Sequence, residues 1–395
     1  MRLAISAFTA TSAAGIGLGE LQGSIRARRS GLRHNDLEDC DLDTWIGRVA
    51  AVDDAPLPRK LVALESRNNR LAWLGLQQDG LPAALESLAT RIGAERIGVV
   101  MGTSTACIGR TEEAYCHLDP SGQMATEYRQ SDVHNLHSPG LFVAVATGLT
   151  GPAITISTAC SSSAKVFATA SRWIAHGLVD AVLVGGVDSL CLSVLYGFNS
   201  LQLISAQPCR PFDLERDGIN IGEAAGFALL TREELAPAAE FSLLGYGESS
   251  DAWHMSHPHP EGRGAVLAMK RALARAGVEA GDIDYINLHG TASTINDRVE
   301  TLALAEQFSP RTPASSTKGW TGHALGAAGI LEAAITLAAM RHELVPGTLN
   351  CERPDPAFPF PVLKENVEQS IRYAMTNSFG FGGNNAALVF GHRDG

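Results

Sequence analysis

Short apolar and β-branched runs, separated by alanine-rich stretches of helical length, recur along the whole chain. Residues 97–101, 153–157, 181–184, 226–230, 241–245, 285–288 and 386–390 read as strands. Several are so uniformly apolar that both faces should be covered, as in a sheet flanked by helices on either side. Residues 161–174, 265–276, 299–308 and 324–340 read as helices. The opening MRLAISAFTATSAAGIGLGE reads as a strand entering a glycine-rich turn. Strands alternating with helices throughout define an α/β protein.

The same order occurs twice. Residues 153–157 run into STACSSS and an alanine-rich helix, and residues 313–316 run into TKGWTGH and a second alanine-rich helix. Each half closes on an apolar strand, 225–230 and 386–390. Between them, residues 231–240 carry Arg-Glu-Glu and Pro237, which break the periodicity. This predicts a duplicated chain with halves at 1–235 and 236–395.

With 395 residues, 45% of them hydrophobic and 18% charged, the chain can bury a large interior and is neither disordered nor a disulfide-stapled miniprotein. The 31 basic against 42 acidic residues give a formal charge of −11, which argues against broad attraction to nucleic acid or anionic lipid. Seven scattered cysteines without CxxC spacing suggest a reducing compartment and neither a zinc cage nor a disulfide framework. No run approaches the ~18 apolar residues of a membrane span, and the N-terminus is a poor signal peptide. A cytoplasmic protein is the expectation.

Three residues stand out where a strand ends and a helix begins. Cys160 precedes a helix opening on Ser161-Ser162-Ser163, where free N–H groups and the positive end of the helix dipole favour a thiolate. A small buried hydrophobe beside a serine-rich cap is the ordinary alternative for any cysteine. His289 follows the strand at 285–288 and opens HGTASTIND, a polar turn with Asp297 close behind. His323 ends KGWTGH at the mouth of another helix. Near a helix N-terminus imidazolium is disfavoured, and a neutral imidazole can donate to a developing oxyanion. Each histidine alone reads as an ordinary polar residue. Together the three point to one crevice beyond the carboxyl ends of the strands. Phe379-Gly-Phe381-Gly-Gly is a turn able to approach a ligand closely and swing an aromatic ring.

Other patterns carry less. Gly15-Ile-Gly-Leu-Gly does not fit GxGxxG, and no GxxxxGK[ST] occurs. His254, His257 and His259 are interrupted by prolines and lack a cysteine partner, so no metal is expected. Arg26, Arg28, Arg29 and Arg33, and the group Lys60, Arg67 and Arg70, read as solvated basic faces, either of them able to serve as a docking patch.

Taken in order, TACSSS around Cys160, CRPFDLERDG at 209–218, SSDAWHM at 249–255, HGT at 289–291, SSTKGWTGH at 315–323 and NSFGFGG at 377–383 resemble the elongating, Cys-His-His type of β-ketoacyl-acyl-carrier-protein synthases. The resemblance covers nearly the whole chain. It implies a thiolase-like fold of two duplicated halves in five αβαβα layers, working as a homodimer or as a heterodimer with a related subunit. It also implies Cys160 as acyl acceptor, His289 and His323 as the pair holding a malonyl thioester carbonyl, and Lys318 and Glu332 as supporting charges. Phe381, beside Phe379, matches the gate, its amide joining that of Cys160 in an oxyanion hole; Thr291 and Ser293 match contacts to a phosphopantetheine arm. The arm would arrive on an acyl carrier protein, so no bound cofactor is expected, and Lys60, Arg67 and Arg70 become the expected docking surface. Ser293 and Asn384 stand where the family usually has threonine, Trp320 is bulkier than usual, and residues 119–137 match poorly. The segments YGFNSL at 196–201 and IGEAAGF at 221–227 also resemble ketosynthases of aryl polyene clusters. The alternatives are a thiolase-type acyltransferase, which does not decarboxylate, and a non-catalytic partner subunit, which the intact triad argues against.

Overall fold

The computed structural model describes residues 1–393. Its main sheet has eleven strands. Five come from the first half: β1 (Leu3–Ser12), β2 (Ile97–Gly102), β3 (Ala153–Ile156), β4 (Ala181–Asp188) and β5 (Ala224–Thr231). Five come from the second: β6 (Phe241–Ser250), β7 (Tyr285–Asn287), β8 (Ala314–Ser315), β9 (Tyr373–Gly380) and β10 (Asn384–His392). The two-residue strand Gly15–Ile16 hangs off β1.

In space the first five run β3-β2-β4-β5-β1 and the second five β8-β7-β9-β10-β6, so both halves use the order third, second, fourth, fifth, first. The orientations also repeat. β2 is parallel to β3 and β4, and β7 to β8 and β9, while every other pairing within a half is antiparallel. The halves join through a short antiparallel contact, Leu3–Ile5 of β1 against Phe241–Leu243 of β6.

The helices, in order, are α1 (Gly17–Arg26), α2 (Arg67–Leu76), α3 (Leu81–Ile92), α4 (Ile108–Cys116), α5 (Ser138–Thr147), α6 (Ser162–Ala175), α7 (Leu192–Ser200), α8 (Arg263–Ala276), α9 (Thr294–Gln307), α10 (Lys318–Thr321) and α11 (Ala328–His342). α2, α3 and α5 cover the outer face of the first five strands, and α8 lies on β6 and β10 with α9 beside it. α6 and α11 touch strands of both halves and each other, so they form the middle of five layers. A helix with a sheet on either side has no solvent face, which is why residues 328–340 of α11 are all buried and why its sequence is apolar all round. The middle layer is closely packed. A Cβ on Gly329 of α11 would sit 2.5 Å from the Ala164 backbone nitrogen of α6, so only glycine allows that approach.

The strands read from sequence are present, generally longer than the apolar runs suggested. The helices α1, α2, α3, α4, α5 and α7 were not legible, because their sequences include RNNRLAWLGL and SPGLFVAVAT, in which Asn, Gly and Pro imitate loop chemistry. Packing and capping override that local preference. The Ser66 hydroxyl accepts the Asn69 N–H at 3.1 Å to start α2, and Pro139 occupies the first turn of α5, where it removes no helical hydrogen bond. The Gly-rich segment 379–385 is also not a free loop. β9 runs through Gly380, β10 starts at Asn384, and only residues 381–383 turn between them. No helix among the described residues is long and apolar enough to cross a membrane.

Candidate active site

The chain leaves β3 at Ile156 and turns sharply into α6, with Ala159 held at φ +52°. That left-handed geometry costs an alanine about 1 kcal/mol or more, and local hydroxyls hold it in place. Thr158 N donates to Ser162 Oγ at 2.9 Å, and Ser161 Oγ donates to the Thr158 carbonyl at 2.9 Å. The turn lifts Cys160 to the floor of a cleft, buried and one residue ahead of the helix cap.

His289 arrives from the end of β7. Its backbone N–H and that of Gly290 donate to the two oxygens of Glu300 at 2.8 and 2.7 Å, and Thr291 N donates to Asp297 at 3.0 Å. Both carboxylates sit on the first turns of α9 and are fully buried, and burial pushes the Glu300 carboxyl up to about 7 despite the two N–H donors. Sequence reading noticed Asp297 and missed Glu300. The signal was the spacing of 297 and 300, which puts both on one helical face directly after the histidine turn.

His323 follows α10, and its Nε2 lies 3.1 Å from Cys160 Sγ. The two imidazoles stand edge to face with ring centroids 5.3 Å apart. Behind them Lys318, fully buried, donates from Nζ to the His289 carbonyl and pairs with Glu332 of α11, while its Nζ is 3.5 Å from His289 Nδ1. Burial first, and then the Lys318 cation, hold both imidazoles well below the usual histidine range; His323 adds a smaller push on His289. They are therefore neutral at physiological pH. An ammonium at His289 Nδ1 makes that nitrogen the acceptor and leaves the ring proton on Nε2, facing the cleft. His323 Nδ1 is buried without a partner, which likewise favours the proton on Nε2.

Cys160 departs from the expectation. The backbone N–H groups of Phe381 and Cys160 and the Lys318 charge do favour the thiolate, but burial outweighs them and pushes the thiol up to about 11. The helix-terminus argument had the sign of one contribution right and omitted desolvation, the larger one. The resting pair is thus thiol and neutral imidazole. Alkylation of Cys160 by iodoacetamide, followed by intact mass, should accelerate roughly tenfold per pH unit from pH 7 to 10, because the reactive thiolate is the minor form throughout. A plateau reached below pH 8 would contradict this.

The cleft holds about 890 Å³, its open end included, and is walled by the triad, Thr291, Ser293, Phe379 and Phe381, with Phe198, Leu201, Leu203 and Ile219 forming an apolar side. Phe381 packs against Phe198 of α7 at 5.6 Å between centroids. Phe379 lies 6.1 Å from the His289 ring. The Thr291 and Ser293 hydroxyls are 2.9 Å apart. A Cβ on Gly380 would lie 3.2 Å from the backbone nitrogens of both Cys160 and Ser161, so this glycine lets the gate turn press onto the nucleophile's own turn. The apolar side was not legible in sequence, because α7 was not recognised. The bulk of Trp320 is taken up away from the cleft, where its indole N–H donates to the Ser24 carbonyl of α1 at 3.3 Å.

The expected docking surface needs revision. Arg67 donates to buried Glu223 from Nε at 2.9 Å and from Nη2 at 2.6 Å and also pairs with Asp53, and Arg70 pairs with Glu65. The Arg67 guanidinium holds the fold together, since Glu223 would otherwise be a buried charge without a cation, whereas the Arg70–Glu65 pair is local and partly exposed. Among the described residues Lys60 makes no ion pair and is exposed. Of the histidine-rich segment, His254 and His257 face each other through Nδ1 at 2.9 Å, whereas His259 turns to Trp253. One ligand atom from each of Cys160, His289 and His323 lies within 4.8 Å of the others, but the ammonium beside His289 opposes a metal cation there.

The family descriptions "Beta-ketoacyl synthase, N-terminal domain" and "Beta-ketoacyl synthase, C-terminal domain" match residues 70–236 and 241–352. The chain is 31% identical to the 3-oxoacyl-[acyl-carrier-protein] synthase 2 of Coxiella burnetii, covering 98% of each chain. It is 38% identical to the mitochondrial 3-oxoacyl-[acyl-carrier-protein] synthase of Arabidopsis thaliana, covering 75% of this chain and 68% of that one. Its structure is similar to a chain of the complex between the ketosynthase ApeO and its chain length factor ApeC from Xenorhabdus doucetiae. The TM-score is 0.89 with 37% identity, over 99% of this chain and 98% of the chain it matches.

Proposed function

Since this chain belongs to the β-ketoacyl synthase family, with the thiolase-like fold and the condensing acyltransferase activity of that family, we propose that Cys160, His289 and His323 carry the two half-reactions in the cleft described above. In the first, the Cys160 thiol attacks an acyl thioester on a carrier protein. The acyl group moves to sulfur, and the proton of Cys160 leaves with the departing pantetheine thiol. The backbone N–H groups of Cys160 and Phe381 meet the tetrahedral oxyanion. In the second, a malonyl thioester places its carbonyl oxygen between the two Nε2–H donors. Loss of CO2 then gives an enolate that the imidazoles hold, and the enolate carbon attacks the Cys160 thioester. The new carbon–carbon bond leaves a β-ketoacyl thioester on the carrier, and a proton restores the thiol. Neutral imidazoles suit this work because they donate hydrogen bonds to negative charge as it develops, without a prior proton transfer. Burial, reinforced by the charge of Lys318, keeps them neutral. Thr291 and Ser293 would contact the pantetheine arm, which the carrier supplies, so the chain needs no cofactor of its own.

One observation carries this reading: the nucleophile and two unprotonated imidazoles converge in one buried cleft with an apolar side wall. The expected partners are an acyl carrier protein, met in part through Lys60, and a second ketosynthase-like subunit, as in the ApeO–ApeC complex. Edge strand β3 supports the latter. Among the described residues it pairs only with β2, which leaves one row of backbone groups open, and Ile154 is exposed, as are Leu136 and Val145 on the preceding segment. Acyl chains of the aryl polyene kind fit the resemblance at residues 196–201 and 221–227, and a cytoplasmic location fits free thiols.

The test uses purified protein with acyl- and malonyl-loaded carrier proteins. A mass increase of one acyl group on Cys160, followed by CO2 release and β-ketoacyl carrier, is expected. Acylation without CO2 from the malonyl carrier would point to thiolase-type transfer, and no acylation to a non-catalytic subunit. In the same preparation Ile154→Lys should convert the assembly to single chains in sedimentation velocity, and an unchanged profile would remove β3 as the interface.

A further inference from the structure

The gate turn 381–383 is tied down on two sides, and the two ties differ in kind. Toward residues 251–262 it is held by two backbone bonds and one between side chains: Gly382 N donates to the Met255 carbonyl at 2.7 Å, Asp251 N to the Gly383 carbonyl at 2.9 Å, and Asn385 Nδ2 to Asp251 Oδ1 at 3.0 Å. Toward the nucleophile helix there is a single direct hydrogen bond among the described residues, from Lys165 Nζ to Asn384 Oδ1 at 3.0 Å. Both partners are half-buried. Lys165 sits in the first turns of α6, close behind Cys160, where a cation is disfavoured by the helix dipole. Burial first, and more weakly the Arg172 charge, hold its ammonium below the usual lysine range, against the pull of Glu248. A lysine in that position, bonded to the residue that opens β10 three positions after Phe381, is placed to act on the gate turn. Asn384 stands where the resembling family has threonine, a side chain one atom shorter.

We propose that the Lys165–Asn384 hydrogen bond is a latch that holds the gate turn, and Phe381 with it, against α6, and so sets how often the cleft opens to bulky acyl groups. Lys165 and Asn384 are positioning residues: neither lines the cleft. The substrate named here rests on the condensing reading above, but the latch does not. A hydrogen bond with a charged donor biases an equilibrium by about tenfold or more, and the variants move that bias in opposite directions. Lys165→Met keeps the stem and removes the donor, so the gate opens more often. Asn384→Asp turns the bond into an ion pair and closes it.

Cys160 is alkylated by N-phenylmaleimide and, in parallel, by iodoacetamide, with peptide mass mapping to separate it from the other cysteines and thermal unfolding to confirm that each variant is folded. Lys165→Met is expected to speed the bulky reagent about tenfold and Asn384→Asp to slow it, with iodoacetamide changing much less. In a Phe381→Ala background, where the gate is already absent, Lys165→Met should add nothing. Equal rates in both variants and the parent chain would overturn the latch. So would a parallel change with both reagents, which would trace the effect to the sulfur itself. Because the readout needs no carrier protein, a chain that fails to condense would sink the proposed function and leave this result standing.

Discussion

Cys160→Ala is expected to abolish β-ketoacyl formation, with a loss on the order of 10⁴-fold or more, while leaving decarboxylation of a malonyl thioester measurable. The asymmetry follows from how the site is divided. Cys160 is the acyl acceptor and nothing else replaces it, whereas the enolate rests on His289 and His323, whose positions come from Glu300, Lys318 and the end of α10 and not from the sulfur. The alanine removes a single sulfur atom, whose side-chain partner among the described residues is His323 Nε2. The measurement is CO2 release from malonyl carrier alongside product analysis. Loss of both activities together in a folded variant would mean that decarboxylation needs the sulfur, and that the division of roles drawn above is wrong.

Lys318→Met should damage both the fold and the reaction. Its ammonium pairs with Glu332 inside the middle layer, and removing one partner of a buried pair costs about 3–5 kcal/mol. Glu332 has an unpartnered second oxygen, and burial already pushes its carboxyl up to about 7 against the pull of Lys318. Without the cation it would go further and take up a proton. The double variant Lys318→Met with Glu332→Leu removes the orphaned carboxyl and should regain most of the stability, as read from denaturant midpoints, because an apolar replacement of a buried pair is often close to neutral. It should not regain activity. Decarboxylation is expected to fall by ~10²–10³, the usual cost of losing one preorganised electrostatic element.

The pH profile should separate the two effects. Lys318 depresses both histidines, so its removal raises their pKa values. The acid limb, where imidazolium replaces the neutral donor, then moves to higher pH than in the parent chain. A double variant that recovers full decarboxylation, or an acid limb that stays in place, would show that Lys318 is structural only.

The parts of the site that lie beside each other in sequence were readable there. A strand ending in STACSSS, a strand ending in HGT and a turn TKGWTGH each state their own local geometry: extended residues, a sharp reversal, and small hydroxyl residues to cap the following helix. Cys160, His289 and His323 could be singled out on that basis, and Lys318 through the resemblance carried by SSTKGWTGH. Glu300 was not, although its spacing from Asp297 carried a signal, because its function depends on one helical turn bringing it under a backbone eleven residues earlier in the chain. The apolar wall of Phe198 and Leu201 was not either, because α7 lacks a strong helical signature and is fixed by what it packs against. Arg67 read as a solvated cation, but its partner Glu223 is 156 residues away and fully buried.

What the sequence determined by itself was the alternation of strands and helices and the chemical types present at the helix mouths, since periodicity and turn chemistry are local properties. What the tertiary structure alone decided was the ionisation of those groups and their alignment. A thiol at a helix N-terminus is activated or suppressed according to how much water reaches it. Two histidines become a pair of neutral donors only when the fold places them 5.3 Å apart against one buried ammonium. Desolvation and through-space charge are properties of the assembled interior, where residues far apart along the chain meet.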